Sequence, residues 1–114
     1  MNRLQINWQG GIVTHWDLDE LETQKDVLDQ IDLFKEDLAQ VSYENDVVLN
    51  LGWYPEFQPH GRFVVQVAVS EDWMNPVLHL EASTIPKLIE HLNESARVAR
   101  TTADILNDTR QPMQ

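Results

Sequence analysis

Two histidines stand close enough to a carboxylate in the sequence to support acid–base chemistry or metal binding. His15 and Asp17 are two residues apart, so their side chains would point to the same side of a strand. His91 and Glu94 are three residues apart, which would place both on one face of a helix. The four histidines are scattered, and neither pair has a second pair near it. We therefore predict structural or solvent-exposed histidines, with no metal site, no catalytic residue and no cofactor.

The sequence lacks the other residue patterns that carry catalysis. No serine lies in a Gly-x-Ser-x-Gly turn, and no glycine-rich loop has the spacing of a phosphate- or dinucleotide-binding loop. The chain has no cysteine, which excludes disulfides, thiolate nucleophiles and cysteine metal sites. These patterns predict a protein that is not an enzyme.

Acidic side chains are abundant, and most of them lie in one segment. Residues 17–46 hold eleven acids and two lysines, a net charge of −9, whereas the whole chain of 114 residues has a net charge of −11. Such a field repels nucleic acid and attracts basic partners. Simple solubility is the alternative explanation, and both stay open at this point.

Aromatic residues gather at the ends of the predicted strands. Trp53, Tyr54 and Phe57 belong to a loop that also holds two prolines, and Trp73 lies in a later turn. Tryptophan and tyrosine are strongly enriched among the residues that dominate binding between proteins. The alternative is that these rings close the open end of the sheet core.

The elements that position these residues follow from the periodicity of the apolar side chains. Residues 3–8 and 12–16 have extended character around a Gly-Gly turn, which predicts a first hairpin. Residues 47–53, 62–70 and 77–81 alternate with a period of two and predict a meander of three antiparallel strands.

Two further segments show a helical period. Apolar side chains that recur every three or four residues predict a helix over about 23–41, with Thr23 as its N-cap. A second run with the same spacing predicts a helix over about 84–106. Residues 108–114 are predicted to be a disordered tail.

The sequence thus predicts a single α+β domain over residues 1–107, with the element order ββαβββα. An antiparallel sheet of about four to five strands packs with the two helices. No apolar run approaches the ~20 residues that a membrane span needs, and the N-terminal stretch lacks the apolar region of a signal peptide. We expect a soluble, cytoplasmic protein without a membrane or direct nucleic-acid partner.

Three motifs resemble a known class of proteins: Leu51-Gly52-Trp53-Tyr54-Pro55-Glu56, Pro59-x-Gly61-x-Phe63 and Asp72-Trp73-x-x-Pro76. Over roughly residues 23–93 the chain is similar to small immunity proteins of bacterial polymorphic-toxin systems, especially those of contact-dependent growth inhibition. The resemblance implies an acidic, cytoplasmic α+β domain that binds one cognate toxin domain, often a nuclease, and blocks it.

The acidic and aromatic residues fit a partner of that kind. A nuclease toxin must bind phosphates and is usually basic at its active site, so a localised negative charge complements it and speeds association. The predicted partner-binding residues are Asp17, Asp19, Glu20, Glu22, Asp29, Asp32, Glu36, Trp53, Tyr54, Glu56, Glu71, Asp72 and Trp73. Two alternatives stay open: a small acidic regulatory or adaptor domain that binds a basic host protein, and a non-catalytic domain that binds a small molecule under the aromatic loop.

Overall fold

Five strands form one antiparallel sheet in which each strand pairs with its neighbours in the sequence, in the order 1-2-3-4-5. The computed structural model describes residues 1–110. The elements are β1 (Ile12–Trp16), β2 (Ala39–Tyr43), β3 (Val47–Tyr54), β4 (Arg62–Val69), β5 (Leu78–Ala82) and α1 (Ile85–Arg110). Two 3₁₀ helices, Arg3–Gln5 and Val27–Leu33, lie in the connections. The predicted α+β class with an antiparallel sheet is confirmed.

The core lies between one face of the sheet and α1. The register aligns Leu49 with Val41 on one side and with Val67 on the other, so three fully buried side chains share one layer. From α1, Leu88 and Leu92 belong to the same buried cluster. Alternation along the strands therefore separates a buried face from an exposed one, as in antiparallel sheets covered on one side.

The last three predicted strands are confirmed to within one residue at each end. In β3 and β4 the alternation is rich in valine, which is a strong strand signal because β-branched side chains pack well on a pleated surface, whereas in β5 leucines alternate with polar residues. α1 begins one residue after its predicted start, and the Thr84 hydroxyl accepts a hydrogen bond from the Lys87 N–H at 3.3 Å. The helix continues to Arg110, so residues 108–110 of the predicted tail are helical. Residues 111–114 lie outside the described part of the chain.

The helix predicted over 23–41 is wrong. This segment forms the 3₁₀ helix Val27–Leu33, capped by Asp26 instead of Thr23, and then continues into β2. The apolar residues that suggested one helix face are still largely buried, and Phe34 has no exposed surface. As a strand, the end of the segment lies between β1 and β3 and pairs with both, so it satisfies backbone N–H and C=O groups on one edge of each.

The predicted first hairpin is also wrong in its first strand. Residues 3–5 form a 3₁₀ helix because the Asn2 side chain accepts a hydrogen bond from the Leu4 N–H and the Gln5 side chain accepts one from the Asn2 N–H. β1 exists as predicted, but it pairs with β2. The element order is therefore five strands followed by α1, apart from the 3₁₀ helices, and not ββαβββα. Over residues 1–110, no helix combines the length and apolar character needed to cross a membrane.

Candidate partner-binding site

The sheet face that points away from α1 carries polar and aromatic side chains. Asn50 lies between the buried Leu49 and Leu51 on β3, so its side chain points to the opposite side of the sheet. The same alternation on β4 places Gln66 between two buried valines. We call this surface the open face, and its central residues are Gln40, Val48, Asn50, Tyr54, Val64 and Gln66.

Trp53 belongs to the core and does not form part of a binding surface. Its side chain is 1% exposed, and its ring centroid lies 4.8 Å from that of Phe34 and 4.9 Å from that of Phe63. The indole N–H donates a hydrogen bond to the Gln58 carbonyl at 2.9 Å. The prediction that Trp53 anchors a partner is therefore wrong, because strand alternation turns this residue toward the helix side.

Tyr54, the next residue, lies on the open face. Its side chain is 41% exposed, and its ring lies against Gly52. A Cβ on Gly52 would come within 2.8 Å of the Tyr54 ring and 2.0 Å of the Glu36 carbonyl oxygen. Residue 52 must therefore be glycine for the Tyr54 ring and the Glu36 carbonyl to lie this close to β3.

A tight turn after β4 brings Glu71 and Trp73 to the open face. Ser70 and Glu71 both have positive φ, and the Asp72 N–H donates a hydrogen bond to the Val69 carbonyl at 3.1 Å. Two consecutive left-handed residues reverse the chain sharply. As a result Glu71 and the partly exposed Trp73 line a shallow depression together with Tyr54.

Four of the predicted acids surround a second depression of about 320 Å³. Its walls include the side chains of Trp16 and Leu33, and Lys35 is its one cation. Its acidic members are Asp17, Asp19, Glu20 and Asp32. Sequence separation hid this grouping, since Asp32 reaches the other three only through the 3₁₀ helix.

Lys35 is the centre of a larger group of carboxylates. Its Nζ lies 2.9 Å from Oδ2 of Asp17, and Asp37 and Glu56 also act on it electrostatically. The hydrogen bond from Lys35, with a further contribution from His15, lowers the pKa of the Asp17 carboxyl. The same contact with Asp17 raises the pKa of Lys35.

The carboxylates around Lys35 extend to the open face. Burial raises the pKa of the Tyr54 hydroxyl, and the negative charges of Glu36 and Asp37 raise it further. These two acids therefore lie close enough to Tyr54 to make the electrostatic potential at its hydroxyl more negative. We call the whole group the acidic patch: Asp17, Asp19, Glu20, Asp32, Glu36, Asp37 and Glu56.

Three of the predicted acids lie outside both the acidic patch and the depression that Glu71 lines. Glu22 forms an ion pair with Lys25 at 2.6 Å, and Asp29 acts electrostatically on the same lysine. Asp72 accepts hydrogen bonds from the Asn75 side chain within the turn after β4. None of the three lines either depression.

The histidine pairs have different outcomes. His15 Nε2 lies 3.1 Å from Asp17 Oδ2, so the strand spacing does bring this pair into contact. His91 instead contacts the Glu81 carbonyl at 3.0 Å, while Glu94 pairs with Arg97. In the described chain, no group of three or more histidine, aspartate or glutamate side chains has a geometry that could hold a metal ion.

Sequence reasoning missed the polar residues in the middle of the strands. Gln40, Asn50 and Gln66 come together on the open face because β2, β3 and β4 pair in register. A signal was present for two of them, since Asn50 and Gln66 interrupt runs that are otherwise apolar. In comparisons with known proteins, no family model, no curated protein and no solved structure matches the chain.

Proposed function

We propose that this protein is an immunity protein, which binds a basic toxin domain in the cytoplasm and blocks it. The observation that carries the proposal is the acidic patch, in which six carboxylates line the depression of Lys35 or act on this lysine, and a seventh, Glu36, acts on Tyr54 beside it. A surface of this kind is costly in repulsion, and a basic partner would relieve that repulsion on binding. The similarity of the three motifs to immunity proteins of contact-dependent growth inhibition supports the same conclusion.

The mechanism follows from charge complementarity. A nuclease toxin must bind phosphate groups through basic side chains, and the acidic patch would occupy the same groups. Steering by opposite charges raises the association rate, so that the toxin is captured before it reaches nucleic acid. The open face adjoins the patch at Tyr54 and adds contact area.

We expect a toxin domain to be encoded by the gene immediately upstream, and the test uses the product of that gene. Co-expression of this domain should kill cells unless the 114-residue chain is also present. Asp19→Lys, Asp32→Lys and Glu36→Lys together should lower the association rate constant by about tenfold or more and weaken protection. Stopped-flow fluorescence at low and high salt measures the rate.

A matched control carries the same change of charge on another surface. Glu90→Lys, Glu94→Lys and Asp108→Lys replace three exposed acids of α1 and should leave the association rate near that of the wild type. If the patch variant remains folded and associates as fast as this control, the acidic patch is not the toxin-binding surface. If the wild-type chain neither binds the upstream domain nor protects against it, the immunity function is wrong.

A further inference from the structure

A row of polar side chains crosses the sheet from edge to edge. Consecutive members are register partners on adjacent strands, which lie about 4.8 Å apart. The row consists of His15, Gln40, Asn50, Gln66 and His79, one from each strand. Side chains at one level of a sheet can contact a single ligand that lies across it.

The three amides in the middle of this row line a groove of about 330 Å³ on the open face. Tyr54 is the last residue of β3, whereas Trp73 comes from the turn that lies at the other end of that strand. We use "the groove" for the depression lined by Gln40, Val48, Asn50, Tyr54, Gln66, Glu71 and Trp73. It combines aromatic walls with a polar floor.

Two of the floor amides are free to bind a ligand. The side chains of Gln40 and Asn50 are partly buried, and neither amide forms a hydrogen bond with a described residue. Each amide offers an acceptor oxygen and two donors. Because these amide atoms are accessible to solvent and are not held by other side chains, they can exchange water for a polar ligand.

The third amide has a fixed orientation. Gln66 Nε2 lies 2.9 Å from Nδ1 of His79, and His79 Nε2 lies 2.8 Å from a carboxylate oxygen of Glu81. A neutral imidazole that donates from Nε2 to this carboxylate accepts at Nδ1, so Gln66 must donate through its NH₂ group. The Gln66 carbonyl oxygen is then left as an acceptor for a ligand.

The groove is negative. The exposed Glu71 lines it, and Glu36 and Asp37 act on the hydroxyl of Tyr54 at one end. The occupant should therefore carry positive charge, because an anion or a second acidic surface would be repelled.

Nearby cations of the chain already have partners. Arg62 Nη1 donates a hydrogen bond to the Ser83 hydroxyl at 2.7 Å. Lys35 donates one to Asp17 at 2.9 Å. Neither Arg62 nor Lys35 is among the residues that line the groove, so a cation from outside the chain can enter it.

We propose that the groove binds an arginine side chain presented by a basic protein partner. A guanidinium is flat and stacks on an aromatic ring, and Trp73, in the same turn as Glu71, offers such a ring at one end of the groove. Its five donors match the acceptor oxygens of the amides and the carboxylate of Glu71. Lysine lacks the planar group, and a neutral sugar makes no use of the negative charge. This proposal rests on the proposed function only where it identifies the basic partner as the toxin.

The test is a titration of the ¹⁵N-labelled full chain with N-acetyl-arginine amide, followed by NMR. The side-chain amide signals of Asn50, Gln40 and Gln66 and the indole signal of Trp73 should shift and saturate in the millimolar range. The indole signal of the buried Trp53 serves as an internal reference. N-acetyl-citrulline amide is nearly the same shape without the charge, and it should bind about tenfold more weakly or worse.

Substitutions locate the site. Glu71→Gln should raise the dissociation constant of N-acetyl-arginine amide about threefold to tenfold. Trp73→Ala should remove its saturable binding. Glu94→Gln removes the same charge from the far surface of α1 and should change nothing. Equal binding of the citrulline and arginine compounds, saturable binding of maltohexaose at these signals, or the absence of any saturable shift would each overturn the proposal.

The failure of this proposal can be told apart from failure of the proposed function. If the upstream toxin domain binds the wild type and Glu71→Gln equally well, the groove does not receive the toxin, although the immunity function stands. If the arginine amide binds but the chain gives no protection, the groove is supported and the immunity function is wrong.

Discussion

Tyr43 shows how burial changes the chemistry of a single residue. Its hydroxyl donates a hydrogen bond to the Trp8 carbonyl at 2.7 Å, and the side chain faces the core. Burial raises the pKa of Tyr43 to about 12, although the positive charge of Arg100 opposes the shift. The ionised form is disfavoured because the phenolate would lose its contact with water.

This shift predicts a loss of stability at alkaline pH. The pKa of Tyr43 is higher in the folded than in the unfolded chain, so the free energy of unfolding is unaffected below about pH 9 and falls as the pH rises from 10 toward 12. A shift of this size corresponds to about 2–3 kcal/mol at its full extent. Urea unfolding between pH 8 and pH 12 measures the effect.

Tyr43→Phe is the variant that isolates the effect of Tyr43 ionisation on the free energy of unfolding. It should cost about 1 kcal/mol at neutral pH through the lost hydrogen bond, but it should flatten the alkaline decline. Tyr54→Phe is the comparison: the pKa of the half-exposed Tyr54 is also raised, but less than that of Tyr43, so this variant should flatten the decline to a smaller extent. An equally steep decline in Tyr43→Phe would show that another group controls alkaline stability.

Among the secondary-structure elements, β3 depends on a close approach by the segment that leads into β2. The Trp53 N–H donates a hydrogen bond to the Lys35 carbonyl at 2.8 Å, and the Leu38 N–H donates one to the Leu51 carbonyl at 3.0 Å. Between these contacts the Glu36 carbonyl lies directly over Gly52. A side chain at Gly52 would therefore separate the two segments.

We predict that Gly52→Ala lowers the free energy of unfolding by about 2 kcal/mol or more, because the added methyl group meets backbone that cannot easily move. Urea unfolding at neutral pH provides the measurement. The comparison is Ser42→Ala, which lies in β2 on the same face of the sheet as Gly52. It should change the free energy of unfolding by less than about 1 kcal/mol. If the two variants were equally stable, the segment before β2 would have to be free to shift.

The elements differ in how well the sequence predicts them. β3 and β4 were predictable because their alternating β-branched residues fit a strand that is buried on one face, and β5 was predictable because Leu78 and Leu80 alternate with polar residues. The helix over 23–41 was not, because apolar spacings of three and four also fit a 3₁₀ helix followed by a strand. The choice depended on the strands that pair with this segment: β3, which follows it after a short turn, and β1, which lies far away in the sequence.

At the scale of the whole molecule, negative charge is gathered in the acidic patch instead of being balanced locally. Most exposed acids of α1 have a basic neighbour, as Glu90 has Lys87 and Glu94 has Arg97. In the patch, six of the seven carboxylates line the depression of Lys35 or act on this one lysine, and His15 contacts only Asp17 and Asp37 among them. Repulsion among like charges disfavours the folded chain and is screened by salt.

Neutralising part of the patch should therefore stabilise the protein. Asp19→Asn, Glu20→Gln and Asp32→Asn together should raise the urea midpoint at low salt and reduce its increase on addition of sodium chloride. The control, Glu90→Gln with Glu94→Gln and Asp108→Asn, changes the charge by the same amount and should not stabilise. A lower midpoint in the patch variant would show that these acids make favourable contacts in the folded chain.

The α+β class, the three-strand meander, the final helix and the excess of acids in one segment could all be predicted from the amino-acid sequence. These features depend on the local pattern of apolar residues and on composition, and neither requires knowledge of which distant residues are in contact. Only the tertiary structure decided that Trp53 is core and Tyr54 surface, that Glu22 and Asp29 lie outside the acidic patch, and that three amides meet in one groove. Such groupings are set by strand register and by the path of the connections, because both bring together residues that are distant along the chain.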